Sequence, residues 1–220
     1  MAKLEKLIPF ILYFEAGGAD SCKIYETRNG KKVLVGYDPS KATTEQQYNE
    51  CKAYLLKNNK LVVSGDKGGM TMCGVTYATY ATYCNKVGIK ATESGLKSLK
   101  YSDWYKILHT MFWNRWKADD IENQAVANIL VDWVWASGIT GVKRPQRLLG
   151  VDADGIVGPK TLAAVKAAEE ETAEMFFFAL QCERLKHINE IVEKSPSQAK
   201  FYKGWERRIN AITFDGFKYV

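Results

Sequence analysis

Three side chains have the types and local settings for acid–base chemistry: Glu15, Asp66 and Thr76. Leu4, Leu7, Ile8, Ile11 and Leu12 recur at helical spacing, and Glu15 lies four residues beyond Ile11 and three beyond Leu12. It therefore shares their apolar face. Gly17 and Gly18 follow at once and suit the left-handed turn that closes a helix. A carboxyl group there meets two effects that disfavour its charged form, desolvation and the negative end of the helix dipole. A carboxyl held protonated is what a general acid needs to protonate a leaving oxygen. The plainer alternative is a solvated glutamate in a last helical turn, and the periodicity alone leaves both open.

The second stretch, Asp66 to Thr76, reads D-K-G-G-M-T-M-C-G-V-T. Glycines 68, 69 and 74 let the backbone approach a ligand or take unusual dihedrals. The G-x-x-x-x-G-K-[ST] spacing of a phosphate loop is absent. Asp66 is the carboxylate best placed to be a partner of Glu15, and Thr76 supplies a hydroxyl for holding water. A glycine-rich turn without chemistry is the alternative.

The elements that must position these groups are helical. Between Ala19 and Gly65 the chain reads as an inserted β-hairpin and helix. Lys23–Thr27 and Lys32–Tyr37 flank Asn29-Gly30, a strong hairpin signal, and Thr43 or Thr44 caps a helix that ends at Asn58-Asn59. Lys60 to Val63 reads as a further short strand. Tyr77 to Asn85 is a helix, Ser102 or Asp103 caps the next, and Glu122 to Ser137 is apolar on nearly all sides, which predicts a buried helix. Asp132 lies in its middle. It either pairs with an arginine or amide for structural reasons or lines a cleft. Pro159 starts a helix in which the acidic run Glu169–Glu174 suits the dipole near the start of a long segment reaching about Lys194. The fold class is mainly α, with residues 1–118 as a catalytic region carrying the 19–65 insertion and 119–220 as a helical C-terminal region.

Composition narrows the function classes. A hydrophobic fraction of 46% with 25% charged residues is that of a soluble globular chain. The net charge of +6 favours polyanions in general, yet there is no arginine-rich run or nucleic-acid motif to select nucleic acid. Cysteines at 22, 51, 73, 84 and 182 form no C-x-x-C pair, and His109 and His187 stand apart within helical patterns, so no metal or cofactor is expected. The apolar run Leu7–Phe14 is short, contains Pro9 and precedes no cleavage pattern, so it reads as mature structure and predicts cytoplasmic synthesis without a signal peptide. No run approaches the roughly 20 apolar residues of a membrane span.

These motifs, in this order, resemble the N-acetylmuramidases of glycoside hydrolase family 108, once described as secretion activators. The resemblance rests on Glu15-Ala16-Gly17-Gly18, Asp66 to Thr76, Ala78-Thr79-Tyr80, Phe112-Trp113 and the Asp132 to Gly138 helix end. It continues through Pro145-Gln146 to Thr161, similar to a C-terminal peptidoglycan-binding segment, and closes on Gly204 to Arg208. The departures are Ala16 for a glycine, Lys67 for a proline, Ala19 for a tyrosine, and the long insertion. The resemblance implies a lysozyme-like helical fold and hydrolysis of the β-1,4 bond after N-acetylmuramic acid, with the family's catalytic glutamate falling on Glu15.

On this reading Glu15 donates its proton to the glycosidic oxygen while Asp66 or Thr76 positions water or stabilises charge. A carboxyl separation of about 6.5–9.5 Å would mark inversion, and about 5 Å a covalent nucleophile. Tyr80, Trp113 and Trp135 are candidates for sugar stacking or for core, with Asp132 a further candidate at the substrate. The partner is the peptidoglycan glycan strand, with no nucleic acid and no stable membrane insertion. Action at the wall then requires release by lysis, a holin or another route, as for a phage or prophage endolysin. The competing reading is a non-catalytic peptidoglycan-binding or secretion-associated protein.

Overall fold

A computed structural model describes residues 1–62 and 69–219. The described residues are mainly helical, with three small two-stranded antiparallel sheets. The chain divides into two compact units, one of Glu5–His109 with Tyr219, the other of Met1–Leu4 with Thr110–Lys218.

The unit around Glu5–His109 starts with helix α1, Leu4–Ala16, which runs through Pro9. Its burial exceeds one stripe, because Leu7, Ile8, Phe10, Ile11 and Leu12 are all fully buried. The hairpin follows as strands β1, Lys23–Arg28, and β2, Lys31–Tyr37. Asn29 and Gly30 both take positive φ, 51° and 73°, which is the turn whose twist matches paired strands. Helix α2, Thr44–Lys57, has Thr43 as its cap, the hydroxyl accepting the Gln46 N–H. The predicted insertion is thus a hairpin and a capped helix. The predicted strand over 60–63 is not present in its described part, where Lys60 to Val62 form a turn and bend; Val63 lies outside the described residues.

Strands β3, Thr71–Met72, and β4, Val75–Thr76, lead into helix α3, Tyr77–Val87, then the short α4, Glu93–Lys97, and α5, Tyr101–Leu108. Neither Ser102 nor Asp103 caps α5. Lys100 holds that position without a side-chain bond, and the Asp103 carboxylate instead accepts the Tyr83 hydroxyl at 3.0 Å. A tertiary partner has displaced the local one.

The other unit is built on helix α6, Gln124–Ser137, capped by Asn123 and buried from Ala125 to Val134. Helix α7, Thr140–Leu148, starts against it at Gly141, where a Cβ would lie 2.5 Å from the Trp133 carbonyl carbon. Only glycine permits that approach. Gln146 is fully buried and organises the following turn, donating to Asp154 and the Ile156 carbonyl while accepting the Gly155 N–H. Helix α8, Pro159–Lys194, is interrupted at Thr172, whose φ of −163° and ψ of 96° are not helical. The acidic run therefore spans a break rather than one helix start. Glu169 has a different task, accepting the Glu122 and Asn123 N–H groups before α6. Helix α9, Ala199–Ala211, is followed by strands β5, Ile212–Thr213, and β6, Gly216–Phe217, which the sequence pattern did not predict.

Candidate functional site

Glu15 is the penultimate residue of α1 and is half-buried, between half-buried Phe14 and buried Ala16. The helix closes as the glycine pair predicts. Gly17 and Gly18 take φ of 78° and 72° and return their N–H groups to the Tyr13 and Leu12 carbonyls. Gly18 is wedged between the Tyr37 and Tyr13 rings, which leave no space for a side chain at that position. Tyr37 carries this anchoring into the insertion. Its hydroxyl accepts the Ala19 N–H at 3.2 Å and donates to Gln47 Oε1 at 3.3 Å. Gln47, itself buried, donates to the Pro39 and Ala42 carbonyls. Burial raises the Tyr37 phenol well above its ordinary value, so it stays a neutral donor. The insertion holds the end of α1 in place.

The β3–β4 turn is held by its own set of contacts. Cys73 and Gly74 both take positive φ, 46° and 83°, and Thr76 just beyond caps α3 by accepting the Thr79 N–H. The Thr76 hydroxyl also lies 3.0 Å from that of Thr79. Trp104, fully buried on α5, donates its indole N–H to the Cys73 carbonyl at 2.9 Å. The Tyr48 hydroxyl and Lys52 Nζ from α2 both donate to the Leu99 carbonyl. The Cys73 thiol is pushed well up by burial first, then by Cys51 and by the charge of Glu15. Glu15 thus lies within electrostatic reach of the turn that leads to Thr76. Asp66 lies outside the described residues.

Tyr80 is buried on α3, close to Gly95 of α4, where a Cβ would meet its hydroxyl. Burial and a hydrogen bond with Cys84 push its phenol up to about 12. Among the described residues it borders a cleft of about 440 Å³ with Tyr83, Lys100, Asp103 and Lys106.

The remaining candidates belong to the unit built on α6. Trp113 is fully buried and donates its indole N–H to Asp119 at 2.8 Å. Trp135 is half-buried, its ring edge-on to Phe112 at 4.6 Å. Asp132 is fully buried, with Oδ2 accepting from Arg184 Nη2 and Oδ1 from Arg208 Nη2, each at 2.7 Å. Burial alone would raise its carboxyl, but Arg208 and Arg184 outweigh that and hold it below the ordinary aspartate range. Of the alternatives left open by the sequence, pairing with arginine is the one found. Arg208 is also the last residue of the Gly204–Arg208 motif, so one short motif supplies the cation for the acid of another. Arg184 carried no motif signal, because one arginine on a long polar helix looks like any other.

Residues 62–138 match the family model described as Glycosyl hydrolase 108. Residues 140–210 match the one described as Predicted Peptidoglycan domain. No curated protein matches the chain. Among solved structures it is similar to that titled Structure of Brucella abortus SagA, at 27% identity and a TM-score of 0.59. That match covers 73% of this chain and 90% of that one. Asp66, Thr76, Tyr80, Trp113, Asp132 and Trp135 fall within the first matched stretch, and Glu15 precedes it.

Proposed function

We infer that this chain, which carries a glycosyl hydrolase 108 domain over residues 62–138 and a predicted peptidoglycan domain over 140–210, is a peptidoglycan hydrolase of the N-acetylmuramidase type. Its substrate is the β-1,4 bond between N-acetylmuramic acid and N-acetylglucosamine. The observation that carries this reading is the pairing of a glycosidase domain with a peptidoglycan domain in one chain.

Glu15 serves as the general acid. It is supported by its place at a half-buried helix end within electrostatic reach of Cys73, followed by a Gly18 packed against Tyr37. A carboxyl fixed there protonates the glycosidic oxygen as positive charge develops on the sugar ring. Water on the opposite face is held by Asp66, or by Thr76 in so far as its hydroxyl is released from the α3 cap. Of the aromatic candidates, Trp135 is more exposed than Trp113 or Tyr80, as a ring that stacks on a sugar face must be. No cofactor enters this reaction scheme. Among the described residues no helix is long and apolar enough to cross a membrane. We place the protein's action at the wall after lysis or holin-dependent release, in a phage or prophage setting.

The test is digestion of purified peptidoglycan by the native protein beside Glu15→Gln, with product ends identified by mass spectrometry. The native protein should release reducing muramic acid ends, and the variant should lose about 10²- to 10⁴-fold, the usual contribution of a positioned acid. Equal release would remove Glu15 from the mechanism. Wall binding by both without release would leave a binding protein in place of an enzyme.

A further inference from the structure

Within the unit built on α6 lies a cavity of about 120 Å³, lined by Trp133, Ser137, Arg184, His187, Trp205 and Ile209 among others. Among the described residues, three buried side-chain nitrogens have no hydrogen-bond partner: Trp133 Nε1, Arg184 Nη1 and His187 Nδ1. All three residues line this same cavity. Trp133 is fully buried and Arg184 is 3% exposed, so bulk water does not serve them. Buried donors are almost always paired in native proteins, and an unpaired one calls for a reason.

The arrangement has a chemical direction. Arg184 spends its Nη2 on Asp132, which fixes the guanidinium and leaves Nη1, on a residue that lines the cavity, without a partner. An indole N–H only donates, and so does a guanidinium N–H, so the missing group is an acceptor. Two donors with a guanidinium among them suit a carboxylate. Ile188, Ile191, Trp205 and Ile209 supply the apolar part of the wall, beside Ser137, His187 and a second cation, Arg208. At about 120 Å³ the space is well below the roughly 300 Å³ at which pockets begin to hold whole small molecules, so it takes an end group rather than a sugar ring.

We propose that this cavity binds the free carboxyl end of a short peptide with a small aliphatic last residue, as at the end of a peptidoglycan peptide stem. The inference rests on the peptidoglycan-binding reading of residues 140–210, whose α8 and α9 supply Arg184, His187, Trp205 and Ile209. Trp133, from the preceding α6, would make one of the two donor contacts and Arg184 the other. The glycan would then be held by the glycosidase domain and the stem by the C-terminal one.

The experiment follows the Trp133 indole N–H resonance by ¹H–¹⁵N NMR in the full-length protein, with pull-down on intact sacculi run in parallel. The probes are alanyl-alanine with D-configuration, its C-terminal amide, and acetate, each to about 10 mM, which nearly fills even a site of millimolar affinity. The free dipeptide should shift the resonance and saturate, with the amide at least tenfold weaker and acetate weaker than the dipeptide. Trp133→Phe, followed through the Trp205 indole resonance at the same cavity, should weaken the dipeptide while leaving the fold intact, whereas a merely structural N–H would leave binding unchanged. Ala136→Trp, at the exposed edge of the cavity and clear of the ion pairs, should abolish binding by obstruction. Sacculus binding without any dipeptide shift would overturn the inference and leave the domain reading standing. Loss of both would overturn the domain reading. Acetate as tight as the dipeptide would reduce the cavity to an anion hole and overturn the peptide assignment.

Discussion

A Cβ atom on Gly18 would lie 2.6 Å from Cε2 of Tyr37, and the Tyr13 ring would be 3.0 Å away on another side. Gly17, one residue earlier, has a similar positive φ and nothing within 4 Å of its missing Cβ. The pair therefore separates backbone strain from steric exclusion. Gly17→Ala should cost about 1 kcal/mol, the left-handed penalty alone. Gly18→Ala must also displace a buried tyrosine, and should cost about 2–4 kcal/mol. Urea midpoints at constant m-value would measure both. If Glu15 depends on this clamp, the Gly18 variant should also lose wall hydrolysis in conditions where it remains folded, while the Gly17 variant keeps most of it.

The β3–β4 turn offers a second lever. Trp104→Phe keeps a ring in the core but removes the N–H given to the Cys73 carbonyl. A buried acceptor left unmade costs about 1–3 kcal/mol. We expect a loss of stability in that range and a fall in hydrolysis, because the turn leads directly to Thr76. Denaturation and turnover measured on the same sample would check it. Unchanged turnover in a destabilised variant would show that the turn is not part of the working site.

The elements legible in the sequence were those written locally. Asn29-Gly30 specified the hairpin, Thr43 and Asn58 bounded α2, and the apolar run of α6 announced its burial, because each signal lies within the element itself. What stayed hidden was tertiary. Asp103 looked like a cap and became the acceptor for Tyr83. Thr172 breaks α8 with neither proline nor glycine beside it. Strands of two residues, such as β3 to β6, are too short for any periodicity to show. Glu15 could be placed at a helix end from spacing alone, but the tyrosine that fixes that end lies in an insertion over twenty residues on, and the cavity nitrogens come from helices far apart in the chain.

The cysteines give a test of burial that needs no variant. Cys22, Cys51, Cys73 and Cys84 are buried and only Cys182 is exposed. Burial also pushes the Cys51 thiol up to about 12 and the Cys73 thiol well above its ordinary value, so neither supplies thiolate near neutral pH. Brief alkylation of the native protein should add one group, at Cys182, and alkylation in denaturant should add five. Mass spectrometry reads the difference directly. Rapid labelling of Cys73 in the native state would mean that the β3–β4 turn opens on the labelling timescale.

The sharpest stability prediction concerns Asp132. Its carboxylate holds Arg184 of α8 and Arg208 of α9 from α6, across 52 and 76 residues of chain. Removing one partner of a buried ion pair costs about 3–5 kcal/mol, because the charges left behind are neither solvated nor matched. Asp132→Asn keeps the shape and some hydrogen bonding but not the charge, so it should approach that range. The pH dependence has a definite sign. Folding lowers the Asp132 carboxyl below its unfolded value of about 3.9, so the folded state binds fewer protons than the unfolded one in that window. The stabilisation is present above the unfolded value and is lost as pH falls through the folded one. Urea unfolding at a series of pH values from neutral to strongly acid should show the native protein losing stability below about pH 4. Asp132→Asn should start less stable at neutral pH and lose less on acidification, so the two curves converge. Parallel curves would mean that other carboxylates carry the acid sensitivity and that Asp132 titrates alike in both states.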